Sequence, residues 1–467
     1  MKDQFTDVVR EKLSDALEME FPAGIRREQT LPDVEGKTHA ITGMRRAGKT
    51  FYLFQCLQDA LAQGVARERL VYFNFEDDRL GTLEAAQLSQ IVESYYQRFP
   101  DFRRKAEVFF CFDEIQVVPG WERFARRLMD SEKVRVFLSG ASAKMLSREV
   151  ATSMRGRAME TAITPFSFRE FATARGVAVP DGGATPSARA RSLLQKTLDD
   201  YLLIGGFPEA AHVAAERDRV NLLQGYVDSV LFRDVAERHA VGNMVALRAF
   251  ARQLLRNPAK EFSVNKIAAD FASRGIAASK ETLLAFLDYF EDAFLVSPIA
   301  IFSRSERRRQ VNPRKLYLAD HSLASAFSPS ASLDRGRLLE NMVACELARK
   351  TRDLAYIKTA GGREVDFIAT AFDGSRHLIQ VASDVSAPQT WEREVKALLE
   401  AREEVKDATL WLLCENMPPP NFELPEKANV LPLYQWLCRK ELVDAGEIQS
   451  EVRAKGPIHN SPAHRAG

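Results

Sequence analysis

Between residues 36 and 165, short apolar runs alternate with helix-length stretches. Five runs, at 38–42, 70–75 (LVYFNF), 108–112 (VFFCF), 134–138 (VRVFL) and 158–163, are candidate strands, the second and third almost continuously apolar. Strands of that kind bury both faces, so the pattern predicts a parallel sheet wrapped by helices. Residues 6–20 read as an amphipathic helix. Residues 166–245 read as helices, broken by the exposed-loop composition GVAVPDGGATPSARA and by Gly205-Gly206-Phe207-Pro208. Residues 246–327 offer three helix-length segments, then two strand-like runs around a basic hairpin within IAIFSRSERRRQVNPRKLYLAD. Beyond them, Glu364 to Ile368 alternates as a strand, and His377 to Val381 supplies its partner.

The divisions that follow are an N-terminal helix and arm at 1–35, an α/β core at 36–165, a helical segment at 166–245, a helix-and-wing module at 246–327 and an α/β domain at 328–443. The remainder, 444–467, has little apolar content and is expected to be disordered. At 467 residues and 46% hydrophobic, the chain has material for two or three domains, each with its own core.

Charge and cysteine content narrow the classes. A net charge of +1 supplies no global field towards nucleic acid or membrane, so any such contact is local. Five widely spaced cysteines with no CxxC pair argue against a disulfide framework or zinc knuckle and fit a reducing cytosol. The seven histidines show no metal spacing. The segment MKDQFTDVVREKL lacks a signal-peptide core, and no apolar run approaches the 18 residues of a membrane helix. A soluble cytoplasmic protein is expected.

The first predicted strand runs into Gly43-Met44-Arg45-Arg46-Ala47-Gly48-Lys49-Thr50, and the helical FYLFQCLQDAL follows. Strand, GxxxxGK[ST] and helix make a phosphate-binding loop: the glycines let backbone N–H groups turn inward, and the helix N-terminus adds partial positive charge. Lys49 would reach the β/γ-phosphates of ATP, and Thr50 would ligate Mg²⁺. The third strand ends in Asp113-Glu114, a Walker B pattern at the edge where ligands bind in such sheets. Asp113 would hold Mg²⁺, and Glu114 would act as general base towards water. Ser139, ending the fourth strand, is either a γ-phosphate sensor or a turn residue. Arg157 and Arg233 are candidate arginine fingers for a neighbouring phosphate, or surface ion-pair partners.

GMRRAGKT, FCFDEIQVVPGWE, LSGASAKMLSREVATSMRGR and ITPFSFREF together resemble the AAA-type ATPases of bacteria and archaea. Those carry a C-terminal domain of unknown function with a restriction-endonuclease-like core. The resemblance covers about residues 25 to 440. It implies a P-loop NTPase (AAA-type) sheet with a helical lid, binding ATP and Mg²⁺ and working as a switch or motor. Oligomers are possible, and the resemblance implies no particular substrate.

The order helix, helix, helix, wing is that of a winged-helix module. Arg304, Arg307, Arg308, Arg309, Arg314 and Lys315 cluster there, so the wing could track DNA phosphates or dock a protein partner. Helical Glu340, strand Asp366 and Gln380 resemble the metal site of restriction-endonuclease-like folds, with Gln380 and Ala382 standing where a carboxylate and a lysine are required. A degenerate site is expected, with Lys358 as a conceivable substitute lysine. Three functions remain: ATP hydrolysis driving or gating a conformational change of the C-terminal domains, with DNA as a candidate partner; a nucleotide-gated protein- or DNA-binding switch with negligible turnover; or an ATPase-coupled nuclease.

Overall fold

The computed structural model describes residues 2–141, 154, 156–180, 186–303, 305–311, 313–328, 334–416 and 428–442. Arg304, Arg155, most of the quoted stretch after Ala141 and the tail from 444 lie outside the described residues.

The sheet expected from the apolar runs is present, with five parallel strands ordered β2-β3-β4-β1-β5. They are β1 Thr38–Thr42, β2 Leu70–Asn74, β3 Val108–Asp113, β4 Val134–Gly140 and β5 Ala158–Ala162. Every residue of β3 is buried, as its unbroken apolar run requires. The helix Lys49–Ala62 seals one face through Tyr52, Leu53 and Leu57. Helices Leu88–Arg98 and Trp121–Ser131 seal the other, joined by Val9 and Leu13 of the N-terminal helix Lys2–Glu18. Lys12 fixes that helix with an ion pair of 2.6 Å to Asp77.

Three helices follow, Phe168–Ala174, Ala188–Ile204 and Glu216–Ser229, and the last continues as a π-helix over Val230–Glu237. A smaller unit then runs helix Met244–Leu255, β6 Lys260–Phe262, helices Val264–Ser273 and Lys280–Asp292, β7 Val296–Ile299 and β8 Arg314–Leu318. Its sheet is antiparallel, ordered β6-β8-β7. The expected basic hairpin differs here: residues between β7 and β8 include a short helix, Glu306–Val311, where consecutive Glu and Arg residues favour helix over a tight turn.

The C-terminal region runs helix Arg335–Lys350, β9 Thr351–Lys358, β10 Glu364–Ala371, β11 Arg376–Ala382, helix Pro388–Glu404, β12 Ala408–Cys414 and β13 Ala428–Pro432. Its sheet order is β13-β12-β11-β10-β9, antiparallel through β11 and parallel from β11 to β13.

The parallel sheet carries its own hydrophobic clusters, and one face of the C-terminal sheet has another. One hydrophobic cluster runs from Phe166 through Phe250 and Leu316 to Trp411 and Trp436, joining the helical segment, the small antiparallel unit and one face of the C-terminal sheet. Gly205 shows how close that packing is. Its φ is 83°, and a Cβ there would lie 2.2 Å from Ser322 Oγ. The neighbouring Gly206 N–H donates to Asp320 at 2.8 Å. All five cysteines are free, and among the described residues no helix is long and apolar enough to cross a membrane.

Candidate functional site

The segment Gly43–Thr50 leaves β1 at the carboxyl edge of the parallel sheet and enters helix Lys49–Ala62. Gly43 has φ 139°, Arg46 φ 67° and Gly48 φ 101°, so the chain turns repeatedly through conformations that aim N–H groups inward. A Cβ on Gly43 would stand 2.0 Å from the Ile163 carbonyl oxygen, which limits this position to glycine. Lys49 is buried, and its Nζ donates to the carbonyls of Gly43 at 3.0 Å and Met44 at 3.3 Å. These features fit a bound triphosphate: a concave row of amides with one ammonium beneath it.

Asp113 ends β3 in front of this loop. Thr50 Oγ1 donates to its Oδ2 at 2.8 Å, Tyr72 OH donates to the same oxygen at 2.7 Å, and Ser139 Oγ donates to Oδ1. Burial and the neighbouring Glu114 charge raise the Asp113 carboxyl above its ordinary range, against the pull of these donors. The hydroxyl of Thr50 and the carboxylate of Asp113 are the hard oxygens that Mg²⁺ takes. Glu114 follows in the left-handed region, φ 55° and ψ 39°, uncommon for a side chain this size. Its N–H donates to Ser139 Oγ at 3.0 Å, and its Oε1 lies 3.7 Å from Lys49 Nζ. Burial pushes the Glu114 carboxyl up, but Lys49, Gln116 and Arg45 outweigh it and hold the group below its usual range. Ser139 is thus a buried brace for both acids in this structure.

Two further contacts tie the loop to the helical segment. Arg45 Nε lies 3.0 and 2.8 Å from the two oxygens of Asp234, while its terminal nitrogens donate to Glu76 at 3.0 and 3.1 Å. Arg46 sits 5.9 Å from the Tyr226 ring centroid. Of the finger candidates, Arg233 is exposed on the π-helix. Arg157 lies away from this chain's own phosphate loop. Its carbonyl accepts from Thr38 at the start of β1, at the sheet edge opposite the loop, and its guanidinium pairs with Asp130. Sequence reasoning missed Tyr72, Glu76, Asp234 and Arg238, whose charge contributes to lowering Glu114. Only Tyr72, two residues before the end of β2, sat where a strand-edge argument could have found it.

A second cluster lies in the C-terminal region. Lys315, expected among the phosphate-tracking cations of the wing, is buried instead, with 3% of its surface exposed. Its Nζ sits 2.8 Å from Glu340, 2.6 Å from Glu364 and 3.4 Å from Asp366. Tyr317 OH also donates to Glu340, at 2.7 Å. Burial works against the Lys315 charge, but the three carboxylates prevail and raise its pKa. Asp366 is pushed up to about 8 by burial and by the charge on Glu340. Gln380 accepts from the Asp366 N–H at 3.2 Å and donates to Glu394 at 2.9 Å, which spends its amide on scaffolding. Lys358 pairs with Glu261 and does not replace the missing lysine of the resembled site. With Lys315 in place, no three His, Cys, Asp or Glu side chains among the described residues are placed to hold a metal ion.

The fold and loop define a P-loop α/β protein, and comparison with known sequences agrees. The description "AAA domain" matches residues 35–172, and a domain of unknown function (DUF8612) matches residues 195–334. The latter covers the later part of the helical segment and the small antiparallel unit. The uncharacterized protein MJ1544 of Methanocaldococcus jannaschii is 33% identical over 386 residues, covering 82% of each chain. This chain therefore belongs to the same protein family as MJ1544 and carries an AAA domain. An uncharacterized protein of Haemophilus influenzae is 29% identical over 74% of this chain and 82% of its own. Among solved structures, a Walker-type ATPase of Pyrococcus abyssi is similar over 70% of this chain and 96% of its own, with 14% identity and a TM-score of 0.41.

Proposed function

We propose that this chain binds ATP with Mg²⁺ and hydrolyses it, and that the cycle moves the helical segment and the regions beyond it. The observation that carries the reading is the hydrogen-bonded constellation of Thr50, Asp113, Ser139 and Glu114 facing the phosphate loop. Lys49 would exchange its two carbonyl acceptors for the β/γ-phosphates. Thr50 and Asp113 would hold Mg²⁺, which when bound neutralises phosphate charge. Glu114, kept ionised by the surrounding cations, is suited to accept a proton from an attacking water. Asp234 and Tyr226, reached by Arg45 and Arg46, supply the route by which loop occupancy is felt in the helical segment.

Helix, strand, two helices and two strands over residues 244–318 support a winged-helix module. Exposed Arg307, Arg308 and Arg314 support a DNA contact made through it. Helix, three antiparallel strands, helix and parallel strand support a restriction-endonuclease-like fold for the C-terminal region, with Glu340, Asp366 and Gln380 as its degenerate site.

Lys49→Ala should abolish nucleotide binding, whereas Glu114→Gln should retain binding and lose hydrolysis, since an amide cannot take the proton. Equilibrium binding and phosphate release, measured on both, test this. Wild-type turnover by Glu114→Gln sinks the assignment of the base. Turnover near 1 per second or faster with DNA present fits a motor, and far slower turnover fits a nucleotide-gated switch, taking that boundary as an order of magnitude.

A further inference from the structure

The Lys315 ammonium is the only basic group within salt-bridge distance of Glu340 or Asp366 among the described residues, and it reaches them from a different structural unit. Glu340 lies on helix Arg335–Lys350, and Glu364 and Asp366 lie on β10, two residues apart and so on one face of that strand. Lys315 lies on β8, in the sheet of the small antiparallel unit. Carboxylate oxygens from three side chains thus point at one buried nitrogen, at 2.6 to 3.4 Å. Convergent hard oxygens around one point are also what a divalent cation takes. A buried carboxylate set is costly without a counterion, and here the counterion is part of the chain.

We propose that Lys315 is a built-in cation that fills the position a divalent ion would occupy in the Glu340, Glu364 and Asp366 cluster, locking β8 onto the C-terminal domain and keeping that domain free of metal. Two functions meet in one side chain. As long as β8 is docked, the cluster has no room for a metal, so phosphodiester cleavage there is blocked by occupancy as well as by the loss of the third carboxylate and the lysine at Gln380 and Ala382. Because β8 belongs to the unit carrying Arg307, Arg308 and Arg314, a ligand that pulls this strand outward must first strip three carboxylates from the ammonium. The surroundings reinforce the lock. Tyr317, also on β8, donates to Glu340, Tyr356 stacks its ring 5.8 Å from Nζ, and Val381 N–H ties down the second oxygen of Asp366 at 3.0 Å.

The test is thermal melting of the full-length chain with and without Mn²⁺. Wild type should gain from Mn²⁺ only what the Thr50 and Asp113 site contributes, a gain common to every variant and subtracted from each, because the cation position at Lys315 is taken. Lys315→Met, which keeps the aliphatic stem, should melt lower by roughly 5–10 °C, since it strands buried carboxylates, and Mn²⁺ should restore part of the loss. Glu364→Gln should lower the melting temperature of the wild type yet raise that of Lys315→Met, because the same carboxylate is a partner in one and a repelled neighbour in the other. If Lys315→Met alone fails to fold, the Lys315→Met/Glu364→Gln chain should recover folding. A Lys315→Met chain that melts like the wild type overturns the proposal, as does one indifferent to Mn²⁺, or a double variant that melts no higher than Lys315→Met or stays unfolded.

Discussion

Arg45 and Asp234 are 189 positions apart in the chain and share two contacts of 3.0 and 2.8 Å across the boundary between phosphate loop and helical segment. Asp234 is almost fully buried, at 2% exposure, so its pairing with Arg45 is shielded from the screening that weakens surface ion pairs. A triphosphate entering the loop competes for the guanidinium that Asp234 now holds.

Asp234→Asn removes the competing charge and keeps the shape. Nucleotide affinity should rise roughly 3- to 10-fold, about 1 kcal/mol, as expected for releasing one charge-assisted contact. Titration with a fluorescent ATP analogue measures it. Weaker binding would mean that Asp234 positions Arg45 for the phosphates and does not withhold it.

Ser139 donates to Asp113 and accepts from the Glu114 N–H, so Ser139→Ala leaves one buried acceptor and one donor unmatched. We expect a stability loss of about 1–3 kcal/mol and hydrolysis slowed ~10-fold or more through misplacement of both acids. Nucleotide binding should change little, since Lys49 and the loop amides are untouched. Denaturant midpoints and initial rates measured together separate these effects. Loss of binding instead of rate would assign Ser139 to the phosphates directly.

The DNA contact, if made by the wing, rests on fewer cations than its sequence offers. Lys315 is committed to carboxylates, and Arg309 pairs with Glu306. Arg307 and Arg314 are exposed, and so is Arg308, which already has a partner within the chain. Three phosphate contacts give a log–log salt slope of about −3, at about −0.9 each. Fluorescence anisotropy across a salt series reads this slope, and charge reversal at all three positions should nearly eliminate binding. Undiminished affinity in that variant moves the interface elsewhere and leaves the wing as a docking surface.

The phosphate loop and the Walker B strand were legible because their signals are local. A glycine spacing and an unbroken apolar run need no knowledge of the rest of the chain. Lys315 was misread for the opposite reason. Within RRRQVNPRK it looks like one more surface cation, and only the packing of β8 on the C-terminal helix and β10 reveals three carboxylates beside it. Glu364 was recoverable: strand alternation puts it on the same face as Asp366. Asp234 was not, because its partner lies in a distant segment and its helix departs from the 3.6-residue period by which buried faces are read.

That departure has a consequence for how this chain tolerates change in length. A π-helical stretch accommodates an extra residue within an otherwise α-helical run, and residues 230–237 carry theirs beside Asp234. Inserting a further residue upstream of Asp234, where the stretch already carries one, would swing the carboxylate about 100° around the axis, away from Arg45, without altering a single functional side chain. The contact between loop and helix is therefore kept by a residue count. Insertions across 230–233 should be far less permissible in this chain than substitutions at the same positions.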